Sequence, residues 1–251
     1  MEAKPIGPLG VRAVGRGEEG GPAILLCHGF GAPGDDLVGL ARGIDIRATQ
    51  PQWRPGEGAR GARWFFPEAP LVVDFGGGYT GRAWWPIDME RLMEARMRGE
   101  SATLADETPQ GLAPARAALE ATIAELERAH GVTREQLVIG GFSQGAMLAT
   151  EVALHADRPF AGLVALSGTV ISRPRWEAAA RARGKELRAL VTHGRADPIL
   201  PFEGGEMLRD LLAGAGADVT FVAHGGGHEI PAPALAALSR SASVWFSSPP
   251  R

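Results

Sequence analysis

The ten residues Leu137-Val138-Ile139-Gly140-Gly141-Phe142-Ser143-Gln144-Gly145-Ala146 decide how this chain is read. The short apolar run Leu137 to Ile139 predicts a buried strand, and Ala146 to Ala149 opens a helix-like run. Between them, Gly141-Phe142-Ser143-Gln144-Gly145 fits G-x-S-x-G, a strand-to-helix turn that holds a serine hydroxyl clear of the backbone. Glycines flank such a serine because a Cβ there would collide with the neighbouring strand and helix. With 35 glycines in 251 residues the pattern alone is weak, and its weight comes from the rest of the chain.

Working outward, strands are expected at Leu9 to Val14, Pro22 to Cys27, Trp64 to Phe66, Ala161 to Leu166, Leu187 to Thr192 and Val219 to Ala223. Helical spacing covers Asp35 to Arg42, Pro86 to Arg98, a long helix from about Thr108 with Pro109 in its first turn and Gly131 ending it, Trp176 to Arg183, Glu203 to Leu212, and Pro233 to Phe246. Strands alternating with helices imply an α/β fold with a mostly parallel central sheet covered on both faces. No linker-like stretch or repeat divides the chain, so one domain over residues 1–251 is expected. Residues 43–62 read as loop. Residues 71–86 read as an aromatic, glycine-rich loop with Phe75, Tyr79, Trp84 and Trp85, part of a lid or pocket insertion around 71–107.

Composition narrows the partners. A formal net charge of −3, with dispersed arginines and only Lys4 and Lys185 as lysines, gives no reason to expect nucleic acid or an anionic membrane. Cys27 is the only cysteine and lies in an apolar run, so it reads as a small core residue, and no intramolecular disulfide is possible. No apolar run approaches the ~18 residues of a membrane span, and residues 1–10 lack a secretory apolar region. A cytoplasmic protein is expected.

In an open parallel sheet, reacting groups gather beyond the carboxyl ends of the strands. A serine nucleophile needs a histidine base and an acid that orients it. Asp197 follows the strand at Leu187 to Thr192, whereas Asp218 precedes its strand and Asp157 and Asp210 sit near helix ends. His224 and His228 both follow the last strand, and three intervening glycines let His228 bend back toward Ser143. The order serine, aspartate, histidine at 143, 197 and 228 is the order that the serine turn predicts. For the oxyanion, one backbone donor is expected from Gln144 and a second from Phe30 in His28-Gly29-Phe30-Gly31.

Two other motifs compete. His224 and His228 as metal ligands lack an evident third partner. Gly76-Gly77-Gly78-Tyr79-Thr80-Gly81 formally fits G-x-G-x-x-G after the strand-like Leu71-Val72-Val73, but Trp84-Trp85-Pro86 separates it from the next helix, so no helix N-terminus meets a pyrophosphate. The loop reads better as an aromatic wall over the serine.

Taken together, Cys27-His28-Gly29-Phe30-Gly31, Phe66-Pro67-Glu68-Ala69-Pro70, Ala83-Trp84-Trp85, Gly141-Phe142-Ser143-Gln144-Gly145, His193-Gly194-Arg195-Ala196-Asp197-Pro198-Ile199-Leu200-Pro201 and Gly227-His228-Glu229-Ile230 resemble the phospholipase/carboxylesterase family of α/β-hydrolases, which includes the acyl-protein thioesterases. The matches run in the family's order from about residue 20 to 232. The resemblance implies the α/β-hydrolase fold, a triad of Ser143, Asp197 and His228, and oxyanion donors at Phe30 and Gln144. Ala146 stands where the family usually continues with glycine. Residues 43–62 and 86–107 do not resemble the family closely, and they would border the acyl pocket.

The expectation is therefore a serine hydrolase cleaving carboxylic esters or thioesters of a small-molecule or acylated substrate, with no metal or cofactor. Tyr79, Trp84 and Trp85, with the Met-rich segment Met89 to Met97, are expected to bind the acyl group. Two alternatives are a non-catalytic binding protein on the same fold and a serine peptidase. The first usually loses a member of the triad, and none is lost here.

Overall fold

The computed structural model describes residues 2–15, 20–44 and 61–248. The strands are β1 (Lys4–Ile6), β2 (Leu9–Val14), β3 (Ala23–Cys27), β4 (Arg63–Pro67), β5 (Leu71–Asp74), β6 (Thr80–Ala83), β7 (Leu137–Phe142), β8 (Gly162–Leu166), β9 (Arg188–Gly194) and β10 (Asp218–His224). The helices are α1 (Leu40–Gly43), α2 (Met89–Met97), α3 (Ser101–Leu104), α4 (Leu112–Ala129), α5 (Gln144–His155), α6 (Arg173–Arg183), α7 (Phe202–Gly214) and α8 (Ala232–Phe246).

Eight strands form one sheet in the order β1-β2-β4-β3-β7-β8-β9-β10. The pairings β1–β2 and β2–β4 are antiparallel and the remaining five are parallel. The central strands are apolar on both faces, as a sheet covered on both sides requires. Along β3, Ala23, Leu25 and Cys27 enter a core shared with α4 to α7, while Ile24 and Leu26 point to the opposite core beneath α8. The same alternation sends Leu137 and Ile139 of β7 to the first core and Val138 to the second.

Several elements depart from the sequence reading. The loop expected over 71–86 contains a hairpin, with Leu71 paired to Ala83 and Asp74 to Thr80. Its four-residue strands are too short for a periodic signal. The helix expected over Asp35 to Arg42 is confined to Leu40–Gly43. The long helix begins at Leu112 rather than Thr108, after Gly111 at φ 96°, so Pro109 precedes it. Pro114 instead lies in the first turn, where its missing N–H costs nothing. Most of the loop expected over 43–62 lies outside the described residues.

Candidate active site

At the turn from β7 to α5, Ser143 has φ 53° and ψ −118°, a conformation that an L-residue adopts only at a cost of about 1–3 kcal/mol. The packing around it enforces that strain. A Cβ on Gly141 would lie 2.4 Å from the Gly145 carbonyl carbon, and one on Gly145 would lie 2.1 Å from the Cys27 oxygen. Strand, turn and helix are closer than any other residue permits. Ser143 occupies the N-cap position, where a serine side chain normally accepts from the helix, yet its hydroxyl makes no capping hydrogen bond. The hydroxyl is withheld from the helix.

Asp197 lies in the turn after β9. Its Oδ1 accepts from the N–H groups of Ile199 (2.8 Å) and Leu200 (2.9 Å), and its Oδ2 accepts from His228 Nδ1 at 2.7 Å. Burial works to raise the Asp197 pKa, but the bond from His228 and those from the two N–H groups outweigh it and leave the carboxyl below its ordinary value. With Nδ1 donating to the carboxylate, Nε2 is the nitrogen left to act on a substrate or a hydroxyl. The His228 ring packs on Phe142, with centroids 4.7 Å apart, and His228 and Ser143 line the same cavity.

That cavity has a volume of about 730 Å³, within the range of small-molecule sites. Its walls include Phe30, Trp85, Ile87, Leu92, Met147, Val170, Ile171 and Met207. The long α2 side chains Met89 and Leu92 reach it, whereas Met97 is 80% exposed. The Met-rich segment is thus divided between cavity and solvent.

Phe30 and Gln144 meet near this serine through a buried strut. Gln144 is fully buried, and its Oε1 accepts from the Trp84 N–H (2.9 Å) while its Nε2 donates to the Trp85 carbonyl (2.8 Å). Trp84 Nε1 donates to the His28 carbonyl at 2.9 Å, so the turn after β3 and the start of α5 are braced against one segment. Among the described residues, neither the Phe30 nor the Gln144 backbone N–H has a partner within the chain. His28 holds the brace from below. Its Nε2 accepts from the Ala69 N–H at 3.0 Å, so Nδ1 carries the proton and donates to the Gly29 carbonyl at 2.8 Å. Burial lowers its pKa, which keeps that neutral tautomer.

Two residues expected to bind substrate are placed elsewhere. Trp84 is buried in the strut and does not line the cavity, because its indole nitrogen is committed to His28. Tyr79 is 60% exposed at the tip of the β5–β6 hairpin, its ring tilted against Phe75 and outside the cavity lining. Trp85 does line it. The glycine-rich stretch 76–81 forms the turn of that hairpin and the start of β6 rather than the start of a helix. Among the described residues, no group of three or more His, Cys, Asp or Glu could hold a metal, and His224 ends β10 with both ring nitrogens unpaired. Sequence reasoning missed the side-chain role of Gln144, since nothing local marks an amide whose partners lie about sixty residues away.

The phospholipase/carboxylesterase family model matches residues 14–246. Acyl-protein thioesterase 1 of Neurospora crassa is 30% identical over 226 residues, covering 88% of this chain and 84% of that protein. The same-named protein of Yarrowia lipolytica is 25% identical over 190 residues, 75% of each chain. Among solved structures, esterase PE8 matches with a TM-score of 0.71 at 26% identity, over 92% of this chain and 96% of its own. Acyl-protein thioesterase 2 of Zea mays shares the fold, with a TM-score of 0.63 at 20% identity over 94% and 98% of the two chains. The chain belongs to the phospholipase/carboxylesterase family of α/β-hydrolases and is a hydrolase of the carboxylesterase and thioesterase type.

Proposed function

We propose that this protein cleaves carboxylic esters and thioesters through an acyl-enzyme on Ser143, with His228 as base and Asp197 as its orienting acid. His228 Nε2 takes the hydroxyl proton as Ser143 attacks the acyl carbonyl, and the same proton then passes to the departing alkoxide or thiolate. The N–H groups of Phe30 and Gln144 hold the oxyanion, each contributing about 3 kcal/mol to the transition state. Water repeats the sequence on the acyl-enzyme and restores the serine. Asp197 stays ionised throughout and keeps the proton of the resting imidazole on Nδ1.

One observation carries the reading. The strained, uncapped Ser143 shares a cavity with a histidine whose Nδ1 is 2.7 Å from a buried carboxylate. The apolar lining supports an acyl group as the bound portion, with Trp85 as the expected aromatic contact. In this reading residues 1–251 form one domain, and the insertion around 71–107 supplies the cavity wall through α2 and the brace through Trp84. A single eight-stranded sheet running from β1 to β10 supports that organisation. A cytoplasmic location fits the lone, buried Cys27, and no helix among the described residues is long and apolar enough to cross a membrane.

The test is hydrolysis of p-nitrophenyl acetate and butyrate, alongside the oxygen ester and thioester of one acyl chain. Wild-type protein is expected to release a burst of p-nitrophenol and then turn over, and Ser143→Ala to abolish both phases. Folded wild-type protein without hydrolysis, or undiminished turnover in Ser143→Ala, refutes the assignment.

A further inference from the structure

The cavity wall and the acid of the proposed triad are joined by one side chain. Helix α2 carries two arginines, Arg91 and Arg96, and a third, Arg98, follows it directly; Arg91 and Arg98 pair with carboxylates. Arg91 makes a two-pronged pair with Glu107 (2.5 and 2.8 Å) at the helix start, and Arg98, just past its end, reaches Glu94 at 3.1 Å. Arg96 differs. It has no carboxylate partner among the described residues, and its Nη2 donates to the backbone carbonyl of Asp197 at 3.0 Å, across 101 positions of sequence. Its Nη1 is buried beside that contact without a partner among the described residues. A half-buried cation aimed at a backbone oxygen is not explained by surface solvation.

The acceptor is what gives the contact meaning. The carboxylate of Asp197 is fixed on one side by the N–H groups of Ile199 and Leu200 and on the other by His228. Its backbone N–H donates to the Gly194 carbonyl over a long 3.3 Å. The next residue is Pro198, which has no N–H to anchor the following peptide. Among the described residues the Asp197 carbonyl has Arg96 as its one hydrogen-bond donor, so Arg96 restrains from outside the turn the peptide that leaves Asp197. The same helix presents Met89 and Leu92 to the cavity, and Leu92 lies one turn before Arg96 on the same face.

We infer that Arg96 is a positioning residue, clipping the acyl-cavity wall to the peptide of Asp197 and so holding the Asp197–His228 pair in register with Ser143. The inference rests on the triad assignment above. A misplacement of about 1 Å in such a pair costs up to roughly 10²-fold in rate. A residue that served only the wall would act on acyl binding, and only for chains long enough to reach α2.

Arg96→Ala, Arg96→Lys and, as a control on the same helix, Glu94→Ala are compared with wild type on p-nitrophenyl acetate and p-nitrophenyl decanoate. The expected result is a fall in kcat on the acetate of about tenfold or more in Arg96→Ala, with KM changed by less than about twofold. The rate of phosphorylation of Ser143 by diethyl p-nitrophenyl phosphate, with release of p-nitrophenolate, falls in parallel, because it also needs an activated Ser143. Arg96→Lys, which keeps a donor within reach, recovers part of kcat, and Glu94→Ala behaves as wild type. An unchanged acetate kcat in folded Arg96→Ala overturns the inference, whatever happens to KM on the decanoate. So does an Arg96→Lys protein that recovers none of the rate. If Arg96→Ala does not fold, Arg96→Gln and Arg96→Lys decide by the same two readouts. Loss of activity in Ser143→Ala with full activity in Arg96→Ala refutes the positioning role alone, whereas inactive wild-type protein refutes the hydrolase reading beneath it.

Discussion

Two walls of one cavity are built on different terms. At the serine turn, backbone meets backbone: a Cβ on Gly145 would sit 2.1 Å from the Cys27 oxygen and 2.5 Å from the His28 oxygen, and neither strand end can retreat. Across the cavity, α2 is held mainly by side chains, with the Arg91–Glu107 pair at one end, the Arg96 clip near the other, and Met97 in solvent. The reacting groups need one geometry for every substrate, and close packing supplies it. The wall meets the part of the substrate that varies, and side chains at a surface can be exchanged without disturbing the sheet. The family resemblance is strong at the first wall and weak over 86–107, where α2 lies.

If this contrast is right, the largest effect belongs to Gly145→Ala. The new methyl group has no flexible neighbour to displace, so a loss of roughly 3 kcal/mol or more and near-complete loss of esterase activity are expected. For a chain of this size each kcal/mol moves the thermal midpoint by about 2–4 °C, and calorimetry reads it directly. Gly39→Ala is the counterpart, because nothing lies within 4 Å of its Cβ position and its stability should hardly change. Equal effects at the two glycines would erase the distinction.

Gln144→Ala comes next. It strips partners from the Trp84 N–H and the Trp85 carbonyl, two buried groups at about 1–3 kcal/mol each. It also loosens the strut between the Phe30 turn and α5, so kcat should fall more than KM rises, measured by steady-state kinetics on a short-chain ester. An unchanged kcat would detach the strut from the proposed oxyanion donors.

What the sequence revealed follows the same division. Ser143, Asp197 and His228 stand out in the sequence because each follows a strand, in a chemistry that restricts residue type and order, and the structure sets His228 on Asp197 beside the cavity that Ser143 lines. The same logic proposes the Phe30 and Gln144 N–H groups as oxyanion donors. The sequence reads Trp84 and Tyr79 as substrate contacts, whereas the structure puts both outside the cavity lining. An aromatic cluster looks alike whether it faces a ligand, braces a loop or tips a hairpin, and long-range hydrogen bonds alone separate these fates. Of the hairpin only the strand-like Leu71 to Val73 is legible, because its partner β6, Thr-Gly-Arg-Ala, carries no apolar run to mark a second strand.

His28 allows a third, smaller test. Its pKa is lowered, chiefly by burial and against the opposing pull of the Gly29 carbonyl, Asp36 and Glu68, with Arg82 reinforcing it. The unfolded chain then binds a proton below about pH 6.5 that the folded protein refuses. Stability is present in full above that value and is lost as pH falls from 6.5 toward the folded pKa. Thermal midpoints measured between pH 7.5 and 5 should decline on acidification, the range being set by the ordinary histidine pKa of about 6.5. His28→Gln should be less stable at neutral pH but show a shallower decline. An identical slope in the variant would assign the proton to another group, such as His224, whose pKa burial also lowers.

The smallest effect is expected at Arg91, and it is the most informative about the wall. The Arg91 and Glu107 side chains are 58% and 48% exposed, and ion pairs of that kind often add nothing measurable to stability. Arg91→Ala should therefore leave the thermal midpoint unchanged. Both residues nevertheless line the cavity mouth, and the segment carrying Glu107 is tied to α6, through the Ser172 N–H to the Glu107 carbonyl (2.9 Å) and the neighbouring Arg173–Asp106 pair. Freeing the start of α2 should change which acyl chains are accepted while leaving catalysis on acetate intact. A series of p-nitrophenyl esters from acetate to decanoate reads this as a few-fold change in KM confined to the longer chains. A drop in kcat on acetate would show that the two walls are not separable at this end, and that the coupling carried by Arg96 extends along the whole helix.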